Sequence, residues 1–445
     1  MAPGYKVTEL GPLPDDWDTV DVATLHDRGL LELRNGFPCG RHNDEGRGTP
    51  HLRPFNVAEN GTIALEKIIY CEPAHDISRY LLREGDVVFN NTNSEALVGK
   101  TALWSRRDGT FVPSNHMTLV RVLGQNGPDP AWLALQLQKL YQDRVFQALC
   151  RRHVNQASVS IARLRSVRLP YPPPREQRRI AAILTTIRRA IDATEKVITA
   201  ARELKKSLMR HLFTYGPVPI DQADKVPLKE TEIGPVPDDW RVVTMAEAVE
   251  FLQYGTSERA ASDGTGLPVL GIPHVVRGRI DALDLRYLAL PETRANRLKL
   301  VTGDLLFVRT NASRERCGRC AIYRGDPPDA LFASYLIRAR VKESVALPEF
   351  VHAFANTAAG QAQLSGRASG AADGKFNINT QIIKSVALPA PPLHQQREIV
   401  ETIRTADRKL ETEHARKSAL EALFKTMLHL MMTGRVRMHS EVADG

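Results

Sequence analysis

The chain repeats its own motifs with a period close to half of its 445 residues. The segment GPLPDDW at 11–17 returns as GPVPDDW at 234–240, and PPPREQR at 172–178 returns as PPLHQQR at 391–397. A duplicated unit presents two related surfaces on one polypeptide. This arrangement favours a bipartite or pseudo-symmetric target over a single small substrate.

The distance between matching residues changes along the chain. Trp17 and Trp240 lie 223 positions apart, Gly85 and Gly303 lie 218 apart, and after residue 166 the offset stays at 219. Insertions and deletions therefore fall in the first part of each copy, while the end of each copy stays in register. The pattern predicts a rigid element at the end and a more variable domain before it.

Composition narrows the class of protein. The length predicts about two to four domains, each with its own core. No run of 18 apolar residues and no secretion signal is visible, and five cysteines fit a reducing compartment, so we expect a cytoplasmic protein without a membrane span. The net charge of +9 favours a polyanionic partner, although a basic surface can also be inert. Cys317 and Cys320 form one CxxC pair without a second, so we expect no metal site.

The end of each copy has the spacing of a coiled-coil helix. After Pro174 no Pro or Gly occurs before Gly216, and apolar residues recur at four-three intervals. We predict one long helix over 174–215 and a second over 393–434, each about 60 Å long. The predicted apolar seam consists of Ile180, Leu184, Ile187, Ile191, Ile198, Leu208 and Leu212 in the first helix and Ile399, Ile403, Leu410, Leu420, Phe424, Met427 and Met431 in the second.

Each amphipathic helix must bury its narrow apolar stripe, and the other copy is the simplest partner. Antiparallel pairing would place the two preceding domains at opposite ends of the pair, whereas parallel pairing would place them together. The long, Pro-rich connection from 216 to 239 permits either, and we favour the antiparallel arrangement. Ordinary core helices of a bundle are an alternative, which the unusual helix length argues against.

The first part of each copy has short β-prone runs and turn residues, which predict a mixed α+β domain with its function on loops. Arg, Asn and His side chains read base edges, and Lys and further Arg neutralise phosphates. We therefore take as candidate DNA-binding residues Arg41, His42, Arg47, Arg53, Asn56, Asn91, Asn93, Lys100, Arg151 and Arg152 in the first copy, and Arg259, His274, Arg277, Arg279, Arg309, Asn311, Arg314, Arg319 and Lys375 in the second.

No catalytic motif is visible in the sequence. There is no P-loop and no HExxH helix. The segment DPPD at 326–329 comes nearest to the Pro-Pro-aromatic loop of base methyltransferases, but an acid stands where the aromatic belongs. We expect a non-catalytic chain with no catalytic residue, metal or cofactor of its own.

Taken in order and duplicated, these motifs resemble the specificity subunits of type I restriction-modification systems. The motifs are the PDDW segment that begins each copy, the strand GDVVF at 85–89 or GDLLF at 303–307, and the proline-rich segment before each long helix. The resemblance implies an α+β fold with two similar mixed α/β target recognition domains, joined by two long helices that form an antiparallel coiled coil. The domains would span 1–173 and, with the linker, 216–392, the spacer helices 174–215 and 393–434, and a tail 435–445.

The family resemblance also implies a function and partners. Each domain would read one half of a split DNA sequence, and the coiled coil would set the spacer between the halves. The chain would bind double-stranded DNA and two modification (methyltransferase) subunits, and restriction/translocase subunits would join for cleavage. S-adenosylmethionine and ATP would bind only to those partners. Two alternatives stay open: a specificity subunit that serves a fused nuclease-methyltransferase, and a coiled-coil scaffold that never reads DNA.

Overall fold

The computed structural model describes residues 4–73, 75–107, 109–276, 278–371 and 374–438, which form two compact units. Unit 1 contains Met1–Glu195 and Ala415–Gly445, and unit 2 contains Lys196–His414. Whereas the sequence suggests consecutive domains and helices, the packing divides both long helices between the units. Each unit therefore combines one mixed domain with half of each long helix.

The described residues of unit 1 form short strands, four helices of its own and parts of the two long helices. Its helices are α1 (Val22–Asp27), α2 (Pro130–Gln142), α3 (Val145–Leu149) and α4 (Ile161–Arg165), with 3₁₀ turns at Pro54–Asn56 and Ser78–Tyr80. Its strands are β1 (Tyr5–Thr8), β2 (Gly11–Pro14), β3 (Asp18–Asp21), β4 (Leu31–Asn35), β5 (His42–Asn43), β6 (Thr49–Leu52), β7 (Ile69–Cys71), β8 (Val87–Phe89), β9 (Thr92–Asn93), β10 (Thr101–Leu103), β11 (Val112–Pro113), β12 (Thr118–Val122), β13 (Arg151–Arg152), β14 (Ala157–Ser158) and β15 (Arg168–Tyr171).

The core of unit 1 is an antiparallel sheet with strand order β10-β8-β12-β4. Alternate side chains of a strand point to opposite faces. Val87 and Phe89 pack with Trp132 of α2 on one face, and Val88 packs with Trp104 on the other. Burial on both faces explains why β8 is a continuous apolar run rather than an alternating one. Two smaller sheets, β11-β6-β7-β5 and β13-β14-β9, lie beside it.

Unit 2 repeats this plan with its own set of elements. Its helices are α6 (Met245–Ala248), α7 (Glu292–Leu298), α8 (Pro348–Ala355), α9 (Ala358–Leu364) and α10 (Thr380–Lys384), with 3₁₀ turns at Ile220–Lys225, Ile272–His274, Arg314–Arg316 and Ser365–Arg367. Its strands are β16 (Leu228–Lys229), β17 (Val236–Pro237), β18 (Arg241–Thr244), β19 (Val249–Tyr254), β20 (Leu267–Leu270), β21 (Val275–Val276), β22 (Arg279–Ile280), β23 (Arg286–Leu288), β24 (Leu305–Val308), β25 (Thr310–Asn311), β26 (Cys320–Ile322), β27 (Leu331–Phe332), β28 (Leu336–Val341), β29 (Ser369–Gly370), β30 (Phe376–Asn377) and β31 (Ala387–Ala390).

The two core sheets have the same topology. Order β19-β28-β24-β26 in unit 2 corresponds to β4-β12-β8-β10 in unit 1, and all pairs in both sheets are antiparallel. The repeat also begins earlier than the sequence motifs indicate. Hairpin β1–β2 matches β16–β17: Lys6 Nζ donates to the Asp15 carbonyl at 2.9 Å, and Lys229 Nζ donates to the Asp238 carbonyl at 2.6 Å.

The long helices are α5 (Pro174–Tyr215) and α11 (Leu393–Met432), and they run antiparallel. In unit 1, Leu184 near the start of α5 shares a core with Leu428 near the end of α11. In unit 2, Leu212 at the end of α5 shares a core with Ile399 at the start of α11. The antiparallel arrangement favoured from the sequence is therefore confirmed.

The apolar positions proposed for the seam lie on the inner faces of these helices. Ile180, Leu184, Ile198, Leu212, Ile399, Ile403, Leu410, Phe424 and Met431 are buried, and Ile187, Ile191, Leu208, Leu420 and Met427 are half-buried. The predicted seam omitted four further buried apolar residues of the described helices, which are Ala181, Phe213, Leu428 and Met432. Ion pairs across the helix pair add register, because Lys417 pairs with Glu195 and Lys205 Nζ lies 2.5 Å from Asp407 Oδ1.

Both long helices end in the same way, at a glycine next to the duplicated tryptophan. Gly216 and Gly434 have φ values of +80° and +68°, the left-handed conformation that favours glycine after a helix. A Cβ at Gly216 would lie 3.3 Å from Trp240, and one at Gly434 would lie 3.6 Å from Trp17. No described helix is both long enough and apolar enough to cross a bilayer.

Candidate nucleic-acid interface

The duplicated GD motif forms a buried ion pair that supports each core sheet. Asp86 accepts hydrogen bonds from Arg121 Nε and Nη2, both at 2.7 Å. Asp304 accepts from Arg340 Nε at 2.8 Å and Nη2 at 2.9 Å, and Arg338 Nη1 lies 3.5 Å away. Both aspartates are at most 1% exposed. This motif serves the fold.

The duplicated tryptophan anchors the start of the long helix in its own unit. Trp17 Nε1 donates to Glu176 Oε2 at 2.8 Å, and Trp240 Nε1 donates to Gln395 Oε1 at 2.7 Å. In unit 1, Arg437 also binds Glu176, through Nε to Oε1 at 2.9 Å. Burial raises the pKa of Glu176, but hydrogen bonds from Arg437 and Trp17 outweigh it, so the net pKa is lowered. Glu176 is therefore a carboxylate at neutral pH.

The next residue of each helix, a fully buried glutamine, ties the helix to the mixed domain. Gln177 Oε1 accepts from the backbone N–H of Asp129, the N-cap of α2, at 2.8 Å. Gln396 Oε1 accepts from the backbone N–H of Leu347, the N-cap of α8, at 2.8 Å. The duplicated motifs thus fasten each domain rigidly to one end of a long helix.

Four of the residues proposed to bind DNA are buried, which corrects those proposals. Asn56, Asn91, Lys100 and His274 are between 2% and 8% exposed. Asn56 Nδ2 donates to two backbone carbonyls at 2.8 Å, and its Oδ1 accepts from the Arg53 N–H at 2.9 Å. His274 has the same capping role in unit 2, since its Nδ1 accepts from the Gly271 N–H at 2.7 Å.

Asn91 and Arg309 occupy equivalent positions, one residue before β9 and β25. Asn91 Nδ2 donates to Thr118 Oγ1 at 3.0 Å and to the Asn115 carbonyl at 3.2 Å. Arg309 Nη1 donates to the Ser334 carbonyl at 3.2 Å. These side chains hold neighbouring loops in place rather than project from the surface. Lys100 is also enclosed, and burial lowers its pKa while Glu59 opposes the shift.

Two more proposed residues form contacts within the protein. Arg279 lies 3.1 Å from Glu411 and 3.7 Å from Asp407, so it links hairpin β21–β22 to α11. Arg314 donates to the carbonyls of Ser365 at 3.1 Å and Gly366 at 2.7 Å. Their partners lie far along the chain, so local sequence could not reveal these structural roles. Arg319 is exposed, with Nε 3.2 Å from a backbone carbonyl, and Arg277 lies outside the described residues.

A first basic cluster lies at sheet β11-β6-β7-β5 of unit 1, where Arg41, His42 and Arg47 are exposed and Arg53 is half-buried. Arg53 Nη1 lies 3.0 Å from His42 Nε2, and the His42 ring stacks on His51 with centroids 5.2 Å apart. Burial, then Arg53, lowers the pKa of His51 to about 4, and the same two causes lower the pKa of His42. The imidazoles are therefore neutral at pH 7, and the arginines carry the positive charge.

A second polar group lies on the three-stranded sheet next to the core in each unit, and its asparagines Asn93 and Asn311 are half-buried. In unit 1, β13 presents the exposed Arg151 and Arg152, Asn93 lies on β9 across the middle strand β14, and Arg152 lies 2.7 Å from Glu95. In unit 2, sheet β25-β30-β29 places Asn311 near Lys375, and Arg259 is exposed on a separate loop. The combination of guanidinium, ammonium and amide groups has the chemistry needed to contact phosphates and base edges.

A family model described as the type I restriction modification DNA specificity domain matches the chain twice, at residues 46–202 and 237–422. Together the two matches cover most of the chain and correspond to its two copies. The chain belongs to the type I restriction-modification specificity subunits.

One relative of this specificity subunit covers nearly all of its length. A protein described as a type I restriction enzyme MjaX specificity subunit, from Methanocaldococcus jannaschii, is 27% identical over 442 residues, which are 97% of this chain and 96% of the relative. A solved type I S subunit from M. genitalium has a TM-score of 0.57 at 14% identity and covers 99% of this chain and 100% of its own. A chain from a study of type I R-M complex assembly has a TM-score of 0.54 at 16% identity, with coverage of 95% and 99%. At these identities, the two structures establish the shared fold.

The cysteine pair of this specificity subunit has a structural role. Cys317 and Cys320 are buried, and Cys317 Sγ lies 3.2 Å from the Arg309 carbonyl. Burial raises the pKa of both thiols, which keeps them protonated. Within the described ranges, no three His, Cys, Asp or Glu side chains are grouped as metal ligands.

Sequence reasoning missed four residues of the specificity subunit that lie where the core strands end. These are Asn35 at the end of β4, Tyr254 at the end of β19, and His116 and Tyr335 just before β12 and β28. All are exposed except His116, which is half-buried. Their positions next to β-prone runs are a usable signal, but only the strand register shows that they correspond between the copies.

Proposed function

We propose that this specificity subunit reads one DNA target in two pieces, with one half-site for each unit and a spacer set by the paired helices. The proposal rests on one observation: the two units agree at buried positions and differ at exposed ones. The two units repeat the same buried contacts, at Asp86 and Asp304 and at Trp17 and Trp240, but expose different polar side chains. Two similar domains with different exposed chemistry suit two different half-sites.

Phosphate contacts would supply most of the affinity, and base contacts the specificity. The basic groups on the small sheets are suited to the first role. Arg41 and Arg151 are exposed and form no ion pair within the part of the chain that the structure describes. Because such guanidinium groups would break no ion pair within the protein, they can bind phosphates at little cost. They would release counterions from the DNA, so binding should weaken steeply as salt rises.

The helix pair would act as the ruler because both α5 and α11 continue from one unit into the other. The segments 196–202 and 410–416 lie between two ion pairs, Glu195 with Lys417 and Lys205 with Asp407. Deleting both segments removes one heptad, or about 10 Å, while these ion pairs stay in register. The unread spacer should then shorten by about three base pairs.

The deletion needs a control that keeps the helix length. Lys196→Ala with Thr412→Ala changes exposed residues in the same segments without shortening either helix. This control should retain the wild-type spacer. A spacer that keeps its length in the deletion variant would contradict the ruler.

We further propose that the chain does not catalyse a reaction and directs its partners to the DNA site. Two modification subunits would bind it, and restriction/translocase subunits would join them. S-adenosylmethionine and ATP would bind to these partners. The absence of catalytic motifs from the sequence supports this division of labour, and so does the structural similarity to a chain studied in type I complex assembly.

Selection from randomised duplexes tests the proposal, with the full chain in complex with its modification subunits. The expected result is one enriched sequence in two parts, separated by unselected bases of constant number. Footprinting should then show protection over both parts. A purely structural scaffold would enrich no sequence, and an outcome of that kind would overturn the proposal.

A further inference from the structure

We infer that two solvent-accessible positions in each unit, which we call the reading edge, determine the base sequence of that unit's half-site. The reading edge consists of Asn35 and His116 in unit 1 and of Tyr254 and Tyr335 in unit 2. This inference rests on the proposed function, because it names the side chains that would read each half-site.

Strand register shows that these positions are equivalent. Asn35 pairs with Thr118 across β4 and β12, and Tyr254 pairs with Ile337 across β19 and β28. Thr118 and Ile337 in turn pair with the last residue of the duplicated motif, Phe89 or Phe307. His116 and Tyr335 each lie two residues before the paired position, at the same end of the sheet.

The backbone behind the reading edge is held in the same way in both units. Gly36 follows Asn35, and Gly255 follows Tyr254. A Cβ at Gly36 would lie 2.2 Å from the Ser114 carbonyl oxygen, and one at Gly255 would lie 2.2 Å from the Phe332 carbonyl oxygen. Only glycine permits so close an approach of two backbones. In both units, the residue after the strand-end edge position is therefore fixed by a close backbone contact that requires glycine.

Each unit has a side chain that contacts its edge residue, and both members of this pair differ between the units. In unit 1, Asn91 Nδ2 donates to Asn35 Oδ1 at 3.3 Å. In unit 2, the equivalent Arg309 lies over the Tyr254 ring, with its guanidinium carbon 5.0 Å from the ring centroid. The amide of Asn91 thus forms a hydrogen bond with the amide of Asn35, and the cation of Arg309 packs on the aromatic ring of Tyr254. Asn91 and Arg309 thus act as positioning residues for the edge.

The edge residues are accessible and have the chemistry to read bases. Tyr254 and Tyr335 are 39% and 56% exposed, large fractions for aromatic side chains. Asn35 Oδ1 already accepts two hydrogen bonds within unit 1, at 3.3 Å and 3.2 Å, so Asn35 would contact a base edge by donating from Nδ2. Neutral histidine and tyrosine can each donate or accept one hydrogen bond. Burial, then Arg53, lowers the pKa of His116, so its ring is neutral at pH 7.

The reading edge contrasts with the strand behind it. The two copies have identical residues at the buried positions Asp86 and Asp304 and at Phe89 and Phe307. At the reading edge they differ, because Asn35 corresponds to Tyr254 and His116 corresponds to Tyr335. A shared frame with different exposed groups is what reading two different half-sites requires. Tyr254 Oη accepts a hydrogen bond from the Thr380 N–H at 3.3 Å, yet more than a third of its side chain stays exposed, and more than half of Tyr335 is exposed.

Substitution at one edge should change one half-site only. The test uses the full chain in complex with its modification subunits and selection from randomised duplexes. Asn35→Ala with His116→Ala should relax the unit 1 half-site at one or more base pairs, with discrimination falling roughly 5- to 150-fold at each. The other half-site and the spacer should not change. Tyr254→Ala with Tyr335→Ala should produce the mirror result.

Matched controls lie at the opposite end of the same strands. Asn126 follows β12 and Glu343 follows β28, and both residues are exposed. The control substitutions are Asn126→Ala and Glu343→Ala. Neither control should alter a half-site. A second variant, with Asn35→Tyr, Asn91→Arg and His116→Tyr together, gives unit 1 the edge of unit 2 and should move its preference toward the other half-site. If this triple variant does not fold, the alanine pair still tests the inference, since Asn35 is exposed.

The possible failures are distinguishable. If the wild-type complex selects a split sequence and both alanine pairs select the same bases with only weaker binding, the reading edge is wrong while the proposed function stands. If the wild-type complex selects no split sequence, the proposed function fails and this inference fails with it.

Discussion

The two units share a frame but stabilise it with different partners. Asp86 binds one arginine, whereas Asp304 lies near both Arg338 and Arg340. The tryptophan of unit 1 binds a glutamate that Arg437 also contacts, and the tryptophan of unit 2 binds Gln395. The position of a contact can thus stay the same in both units while the charge of its partner changes. The two copies keep the positions of their buried contacts, and they differ in the types of their exposed side chains.

The largest expected effect concerns the buried aspartates. Removing one partner of a buried ion pair costs about 3–5 kcal/mol, because the other charge stays buried and unpaired. Asp304→Ala should cost more than Asp86→Ala, since it leaves two arginines without their carboxylate instead of one. Urea denaturation measures the decrease in the free energy of unfolding, and hydrogen exchange shows in which unit it occurs.

The exposed substitutions Asp15→Ala and Asp238→Ala are suitable controls and should change stability by less than about 0.5 kcal/mol. Equal and small losses for both buried aspartates would break the comparison, because they would show that the ion pairs do not support the sheets.

A second, smaller difference is sensitivity to acid. His51 pairs with Val112 in unit 1, and Val269 pairs with Leu331 at the equivalent place in unit 2. The pKa of His51 is lowered from 6.5 to about 4, so the folded state binds fewer protons than the unfolded state between these values. This contribution to stability is complete above pH 6.5 and is lost as pH falls toward 4.

Through His51, unit 1 should therefore lose at least about 1 kcal/mol between pH 7 and pH 5. His51→Val, which introduces the residue of unit 2, should remove this loss. Urea midpoints of the wild type and the variant at both pH values measure it. An unchanged pH dependence in the variant would show that another group is responsible.

The smallest effect concerns Glu176, whose lowered pKa makes it a carboxylate down to below pH 4.5. Its contribution to stability is present above pH 4.5 and is lost as pH falls through the folded-state pKa. Glu176→Gln imitates Gln395 and should cost about 1 kcal/mol at pH 7, because the charged hydrogen bond from Arg437 is weakened. The cost should vanish in acid. A constant cost at every pH would mean that the charge is irrelevant to the contact.

Sequence reasoning predicted the helical part of the molecule best. The four-three spacing from Ile180 to Leu212 depends only on local residues, and the helix α5 begins and ends where the Pro and Gly signals stand. The direction of pairing was less determined by the residues, because the same stripe can pack in either sense. Packing of Leu184 with Leu428 decides it.

The candidate site was harder to predict, because exposure depends on distant parts of the chain. Asn56 and Asn93 look alike in sequence, yet Asn56 is enclosed by carbonyls 8 and 11 residues away. Arg279 resembles any basic loop residue until α11 places Glu411 beside it. The reading edge was missed for the same reason, since the correspondence of Asn35 with Tyr254 follows from strand register and not from residue identity.

The most direct test of the central claim is to sequence the methylated bases of a host that carries this chain with its modification subunits. We expect one split motif, with two different half-sites separated by a constant number of unread bases. A single continuous motif, or half-sites at variable separation, would contradict the claim that two units read one site across a fixed spacer.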